Sequence, residues 1–279
     1  MDGTQPQAMQ RDHATREELR RRLAAVEQRK GLKVLAASDP GMLLGGERGA
    51  ESFVSARFIF VRPIEEYLTL FPSDETEQVE ASLACEAVGW DLKKVVIATL
   101  NGNPNPIDWV RCRPQVHGHP QFPDALLGFA QEFGDPVRTA QIYLKQLERH
   151  RQRFDGRPLK IVPEKLLMLL KPALSLRWYS QNKLHGFPPA DLKGLLEEVF
   201  VRPVLRAEME ELVTGHYKGT LPEQLEVPKP ILELLLQELE AGPALKSRSK
   251  RPFTPTIMKE ADRFFLKWAV QNRSASKGG

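Results

Sequence analysis

From residue 123 onward the prolines of this sequence stand where helices begin, and no other feature constrains its fold as much. Proline lacks the amide hydrogen that a helix interior requires, yet costs nothing at the first turn. Asp135-Pro136, Pro163, Pro188/Pro189, Pro203, Pro228/Pro230 and Thr254-Pro255 each open a run with helical spacing of apolar residues, and Gly242-Pro243 closes one. Twenty-two prolines in 279 residues therefore mark many short helices rather than a disordered chain. Pro172 falls inside the segment 163–182, which predicts a kink or break there. No fixed-period repeat is visible, which argues against a regular solenoid.

The stretch before residue 123 reads differently. Thr15 and Glu18 form a capping box ahead of a helix over about 16–30, in which side chains satisfy the free amides of the first turn. Its narrow stripe, Leu19, Leu23 and Val26, predicts an arm resting on a surface or a partner. Residues 32–37 read as a short strand. The glycine-rich residues 39–50 lack the Gly-Lys-Ser/Thr ending and the Gly-x-Gly-x-x-Gly spacing of phosphate loops and read as a mobile loop. Phe53–Val61 is the clearest strand: Val54, Ala56, Phe58 and Phe60 make one apolar face, and Ser55 and Arg57 interrupt the other.

Ser73–Thr76 is expected to open a helix carrying Val79, Leu83 and Ala87 to a stop at Gly89. Residues 95–100 and 107–113 flank turn residues and read as a hairpin. Residues 114–123 read as a proline-rich connector. Strands early and helices late give an α+β class: a small N-terminal mixed or antiparallel sheet with helices, then an all-helical C-terminal half. The expected division is a polar arm and helix (1–31), an α+β domain (32–122) and a helical domain with a basic C-terminal helix (123–279).

No apolar run is long enough to cross a membrane, and the N-terminus lacks the pattern of a secretory leader. Two cysteines, Cys85 and Cys112, do not make a disulfide scaffold. The expectation is a reducing, cytoplasmic location, or a nuclear one in a eukaryote.

The formal charge of +4 is unevenly spread. Residues 241–279 hold nine basic and two acidic side chains, a net of +7, and the rest of the chain is −3. Such asymmetry points to a polyanion, because cations near phosphates release condensed counterions. Ile257, Ala261, Phe264, Phe265 and Trp268 form the apolar stripe of the last helix. Lys259, Arg263 and Lys267 follow one another at i, i+4 and i+8 as a basic ridge, preceded by Lys246, Arg248, Lys250 and Arg251 and followed by Arg273. These eight residues are the expected contacts to a DNA or RNA backbone, giving affinity without base readout.

Other chemistries have thinner support. Cys112, His117 and His119 offer zinc-type donors without a fourth ligand, and no metal or other cofactor is expected. Glu86 with Asp91 and Lys93 resembles the acid pattern of metal-dependent nucleases, but ahead of an apolar run rather than within a strand. No Gly-x-Ser-x-Gly, His-Glu-x-x-His or kinase set is present. Arg177, Trp178 and Tyr179 interleave base and aromatic, a pattern more often met in a core. Leu232–Leu239, edged by glutamates, reads as core or as a protein-binding face.

The sequence thus predicts a non-enzymatic, nucleic-acid-associated subunit that meets protein partners through leucine-rich helices. A protein-only adaptor is the alternative, and a metal-dependent hydrolase or nuclease the third reading.

Overall fold

The computed structural model describes residues 4–44, 54–151 and 160–270. Its first element, α1 (Thr4–Lys30), begins well before the Thr15 box. A mixed sheet follows, built from β1 (Lys33–Ser38), β2 (Val54–Val61), β3 (Thr76–Val79), β4 (Cys85–Asp91) and the two-residue β5 (His117–Gly118) in the order β3-β4-β2-β1-β5. β2 and β4 run parallel, and the other pairs are antiparallel.

The two faces of β2 decide the layering. Val54, Ala56, Phe58 and Phe60 are buried on one face with Leu19, Leu23 and Val26 of α1. The narrow stripe is thus one wall of the chain's own core. On the same face Phe58 stands beside Gly89, where a Cβ would lie 2.3 Å from the Phe58 ring. Gly89 is there to admit that ring, not to stop a helix.

The expected helix over 73–89 is instead β3 and β4, whose residues alternate between buried and less buried. Val79 and Ala87 face the core from two strands, and Leu83 lies fully exposed between them, so a helical stripe never forms. The expected hairpin over 95–113 is also corrected, to two helices, α2 (Leu92–Leu100) and α3 (Asn105–Arg111). Asp91 caps α2, its carboxylate accepting from the Lys93 amide at 2.8 Å. Leu92, Val95, Val96, Thr99 and Leu100 are buried, the i, i+3, i+4, i+7, i+8 spacing of a helix face. That burial outweighs the β-branched composition, whose propensity is a weak prior.

The second face of the sheet packs under α2, α3 and α4 (Phe122–Phe133). The rest of the chain forms α5 (Pro136–Glu148), α6 (Pro163–Gln181), α7 (Leu192–Glu198), α8 (Pro203–Lys218), α9 (Lys229–Glu240), α10 (Gly242–Lys246) and α11 (Pro255–Val270). The first six share one leucine-rich core. Among the described residues the all-helical expectation misses two short strands, β6 (Lys160–Ile161) and β7 (Leu225–Glu226), which pair with each other. Prolines open α5, α6 and α8. Pro172 does not break α6, whose 19 residues run through it with Leu169, Leu170, Ala173 and Leu174 buried around it.

α11 returns to the second face of the sheet. Ile257, Trp268 and Ala269 are buried with Ile59, Val61, Leu92 and Phe122, and the Trp268 ring meets Phe122 edge-on at 5.0 Å.

Candidate active site

Strand directions bring polar residues together at one end of the sheet. β1 ends where β2 and β4 begin, so Ser38 lies opposite Arg57, and Ser55 lies beside Glu86. Side chains paired across strands share a face, and here it is the face interrupted in the sequence by Ser55 and Arg57. Ser55 Oγ donates to Glu86 Oε1 at 2.8 Å. Arg57 Nη1 donates to Ser55 Oγ at 3.0 Å and to the Ala56 carbonyl at 2.8 Å, which lays the guanidinium along its own strand. Ser38 is fully buried, and its Oγ has no hydrogen-bond partner among the described residues.

Beyond Ser38 the chain turns. The Asp39 carboxylate accepts from the Gly41 amide at 3.1 Å, and its carbonyl accepts from the Cys112 thiol at 3.1 Å. A 3-10 turn, Pro40–Leu44, follows, with Leu43 packed on Cys112 and Ala190. The glycines from Gly45 to Gly49 lie outside the described residues. α3 ties this end to the helical half: Asp108 accepts from Lys171 Nζ at 2.6 Å, and Arg111 Nη1 donates to the Pro188 carbonyl at 2.6 Å. A cation, two hydroxyls and a carboxylate thus line one strip of sheet. Such a strip can neutralise a phosphate and position an attacking hydroxyl.

The opposite end of β2 and β4 opens into a cleft of about 890 Å³, outside the carboxyl ends of parallel strands, where ligands commonly bind. Four of its polar side chains are engaged with one another, although the buried Arg62 Nε has no hydrogen-bond partner among the described residues. Tyr67 donates to Asp91 Oδ2 at 2.7 Å, and Arg62 pairs with Glu77. Burial raises the Tyr67 phenol, and the Asp91 charge adds to the effect. Desolvation likewise raises the Asp91 carboxyl. Of the nuclease-like pattern, Asp91 caps α2 through the Lys93 amide and lines this cleft with Lys93, while Glu86 lies toward the other end of β4.

The zinc-type candidates go to separate partners. Cys112 is buried with its thiol pushed up to about 11, first by desolvation and then by the Asp39 charge. His117 Nε2 lies 2.9 Å from Glu27 Oε2. The His119 ring stands against Trp268. Among the described residues no three His, Cys, Asp or Glu gather to hold a metal ion.

The basic residues near the C-terminus divide. Lys259, Arg263 and Lys267 are exposed along α11, with Arg263 paired to Glu260 at 2.6 Å and Lys267 Nζ 5.5 Å over the Trp268 ring. Lys246 pairs with Glu148 at 2.6 Å. The Arg251 amide donates to Asp135 Oδ2 at 2.7 Å, and its guanidinium donates to the Glu132 carbonyl at 2.8 Å, so Arg251 ties the linker to α4 and α5. Lys250 is exposed, Arg248 borders a cleft with Arg177 and Lys183, and Arg273 lies outside the described residues. Trp178 and Tyr179 are core: the indole donates to Glu198 at 2.7 Å, and Tyr179 is buried. α9 turns Ile231, Leu234, Leu235 and Leu239 into the same core. Ser38 at the strip is what sequence reading missed. The signal that could have found the strip is the polar interruption at Ser55 and Arg57.

Comparison with known proteins adds a lineage. The chain is 26% identical over 236 residues to the uncharacterized protein YcgL of Bacillus subtilis (strain 168), covering 82% of this chain and 88% of that protein. A nucleotidyltransferase-like protein from Exiguobacterium sibiricum aligns with 87% of this chain and 83% of its own at 12% identity, with a TM-score of 0.30, too distant to bear on the site. The family described as RlaP, RNA repair pathway DNA polymerase beta family, matches residues 15–267. A polymerase family transfers nucleotides, which overturns the expectation of a non-enzymatic subunit in favour of a nucleotidyltransferase-type enzyme. Matched across nearly its whole length, the chain belongs to the RNA repair pathway DNA polymerase beta family.

Proposed function

We propose that this protein transfers a nucleotidyl group to or from RNA, and that the strip formed by Ser38, Ser55, Arg57 and Glu86 is its reaction floor. Family membership over residues 15–267 supports the reaction class. The observation that carries the location is the polar line across β1, β2 and β4 on a face that Leu35, Ala36, Ile59 and Val61 otherwise make apolar. Arg57 supplies the charge that faces a phosphate. Its bonds among the described residues all leave from Nη1, which leaves the rest of the fork to the ligand. Ser55 and Glu86 hold each other and fix the floor beneath it.

Polymerases draw on paired divalent cations clamped by carboxylates. Among the described residues the strip and its adjoining turn contribute Glu86, bonded to Ser55, and Asp39, bonded to the Gly41 amide, and no larger group of donors converges. This donor set does not fit a cation pair.

Lys246, Arg248, Lys250, Arg251, Lys259, Arg263, Lys267 and Arg273 serve in this reading as contacts to the RNA backbone. Arg251 and Lys246 do so less freely than the exposed ridge on α11, since both already hold the linker to the body. Among the described residues no helix is long and apolar enough to cross a membrane.

The test is transfer from each α-labelled nucleoside triphosphate to single-stranded and nicked RNA, with Mg²⁺ and Mn²⁺ supplied. Labelled RNA is expected with the native protein. Arg57→Ala and Glu86→Gln should lower the yield at least tenfold, about 1.4 kcal/mol of barrier, with unchanged unfolding midpoints. No labelling with any nucleotide or RNA end would overturn the proposal.

A further inference from the structure

α6 ends in an unusual way. Lys183 and Leu184 both take the left-handed backbone, φ 52 and 59, ahead of Gly186 at φ 70. For residues with a Cβ that conformation is strained. At Leu184 packing against the helical core offsets the cost. Lys183 is exposed and gains no such packing. The turn instead sets it at the mouth of a cleft of about 440 Å³ between the end of α6, the end of α9 and α10, a volume typical of ligand sites.

The charges around the cleft do not cancel. Glu238, buried, accepts from Arg177 Nε at 2.5 Å, and a second Arg177 amino group reaches Gln237 Oε1 at 3.0 Å. That pair is neutral. Lys183 and Arg248 remain, and neither has an acidic partner among the described residues. The carbonyl ends of α6 and α9 border the cleft and favour cations there, so the two side chains stay in place without a carboxylate between them. Ser180 adds a hydroxyl at the rim. Tyr179 is buried and offers no face for a base to stack on. The cleft is thus equipped for a charged backbone rather than for a nucleobase. Arg248 also belongs to the basic run from Lys246 to Arg251, which extends the same track of positive charge.

We infer that this cleft is a phosphate subsite for the backbone of an RNA strand, gripped by Lys183 and Arg248. The inference rests on the reading of RNA as substrate given above.

The test is fluorescence anisotropy with a labelled single-stranded RNA across a salt series. Lys183→Glu with Arg248→Glu should weaken binding about tenfold or more and reduce the salt slope by one to two. Lys193→Glu, an exposed charge on α7, should change little. Lys183→Gly relaxes the left-handed backbone, so it should keep the fold and still weaken binding. Binding of ATP alone should be the same in all variants. Equal affinity and slope for wild type and the double variant, or an equal loss in Lys193→Glu, overturns the subsite and leaves RNA as substrate. Absence of RNA binding by the wild type overturns both.

Discussion

Lys171 Nζ donates to Asp108 Oδ2 at 2.6 Å, which links α6 to α3 with both side chains largely withdrawn from solvent. Desolvation holds the Asp108 carboxyl above its ordinary 3.8 despite the Lys171 charge. Removing the lysine therefore strands a buried carboxylate.

Lys171→Met should cost about 3–5 kcal/mol by urea unfolding. A carboxyl raised in the fold contributes stability that is in place below its ordinary value and is lost as pH rises through the folded value. The deficit of Lys171→Met should accordingly be larger at about pH 8 than at about pH 5, where Asp108 can take up a proton. A deficit independent of pH would show that the lysine acts through packing of its stem.

Glu27 has the opposite sign. Burial pushes its carboxyl up, but the His117 hydrogen bond, the Val34 amide and the His117 charge together hold it below 4.5. Its contribution is present above 4.5 and disappears as pH falls through the lowered folded value. Glu27→Gln should lose about 1–3 kcal/mol at neutral pH. Its melting curve should approach that of the wild type in acid. Parallel curves at every pH would contradict the assignment.

Gly89→Ala should force the Phe58 ring aside, since the new Cβ would lie 2.3 Å from it. Overpacking of this kind costs about 1–3 kcal/mol. Phe58→Val should rescue Gly89→Ala in part, because it vacates the space in question. Double-mutant unfolding measures the coupling, and simple additivity would show that the two do not meet.

Trp268→Ala should cost about 3–5 kcal/mol, for its ring packs against Phe122 and Phe264. Leu83→Ser, at a fully exposed position, should be neutral within about 0.5 kcal/mol. Lys259, Arg263 and Lys267 changed together to Glu should leave the midpoint nearly unchanged, because all three face solvent.

The fold class was legible because prolines punctuate the helices and because Val54, Ala56, Phe58 and Phe60 alternate cleanly. The errors have a common cause. Val79, Leu83 and Ala87 satisfy a helical period by coincidence of two strands, and only the exposure of Leu83 separates the alternatives. Leu92 through Leu100 satisfy both a buried strand and a buried helix, and the cap at Asp91 decides between them. The candidate active site is half legible: Ser55 and Arg57 are polar residues in an apolar strand, and Glu86 belongs to a nuclease-like pattern of acids. Their convergence with Ser38 depends on a parallel register between β2 and β4 that periodicity within one strand does not encode. The charge of residues 241–279 points to a binding surface and not to catalysis, since a count of cations says nothing about a reaction.

The return of α11 to the second face of the sheet has a consequence for synthesis on the ribosome. Residues 257–269 complete a core whose other members include Ile59, Val61 and Leu92. The sheet and its overlying helices therefore emerge with an apolar trench where Trp268 will sit, and that trench stays wet while roughly the whole helical half is translated. Until then Ile59, Val61, Leu92 and Phe122 lack the cover that Ile257, Phe264 and Trp268 of α11 give them.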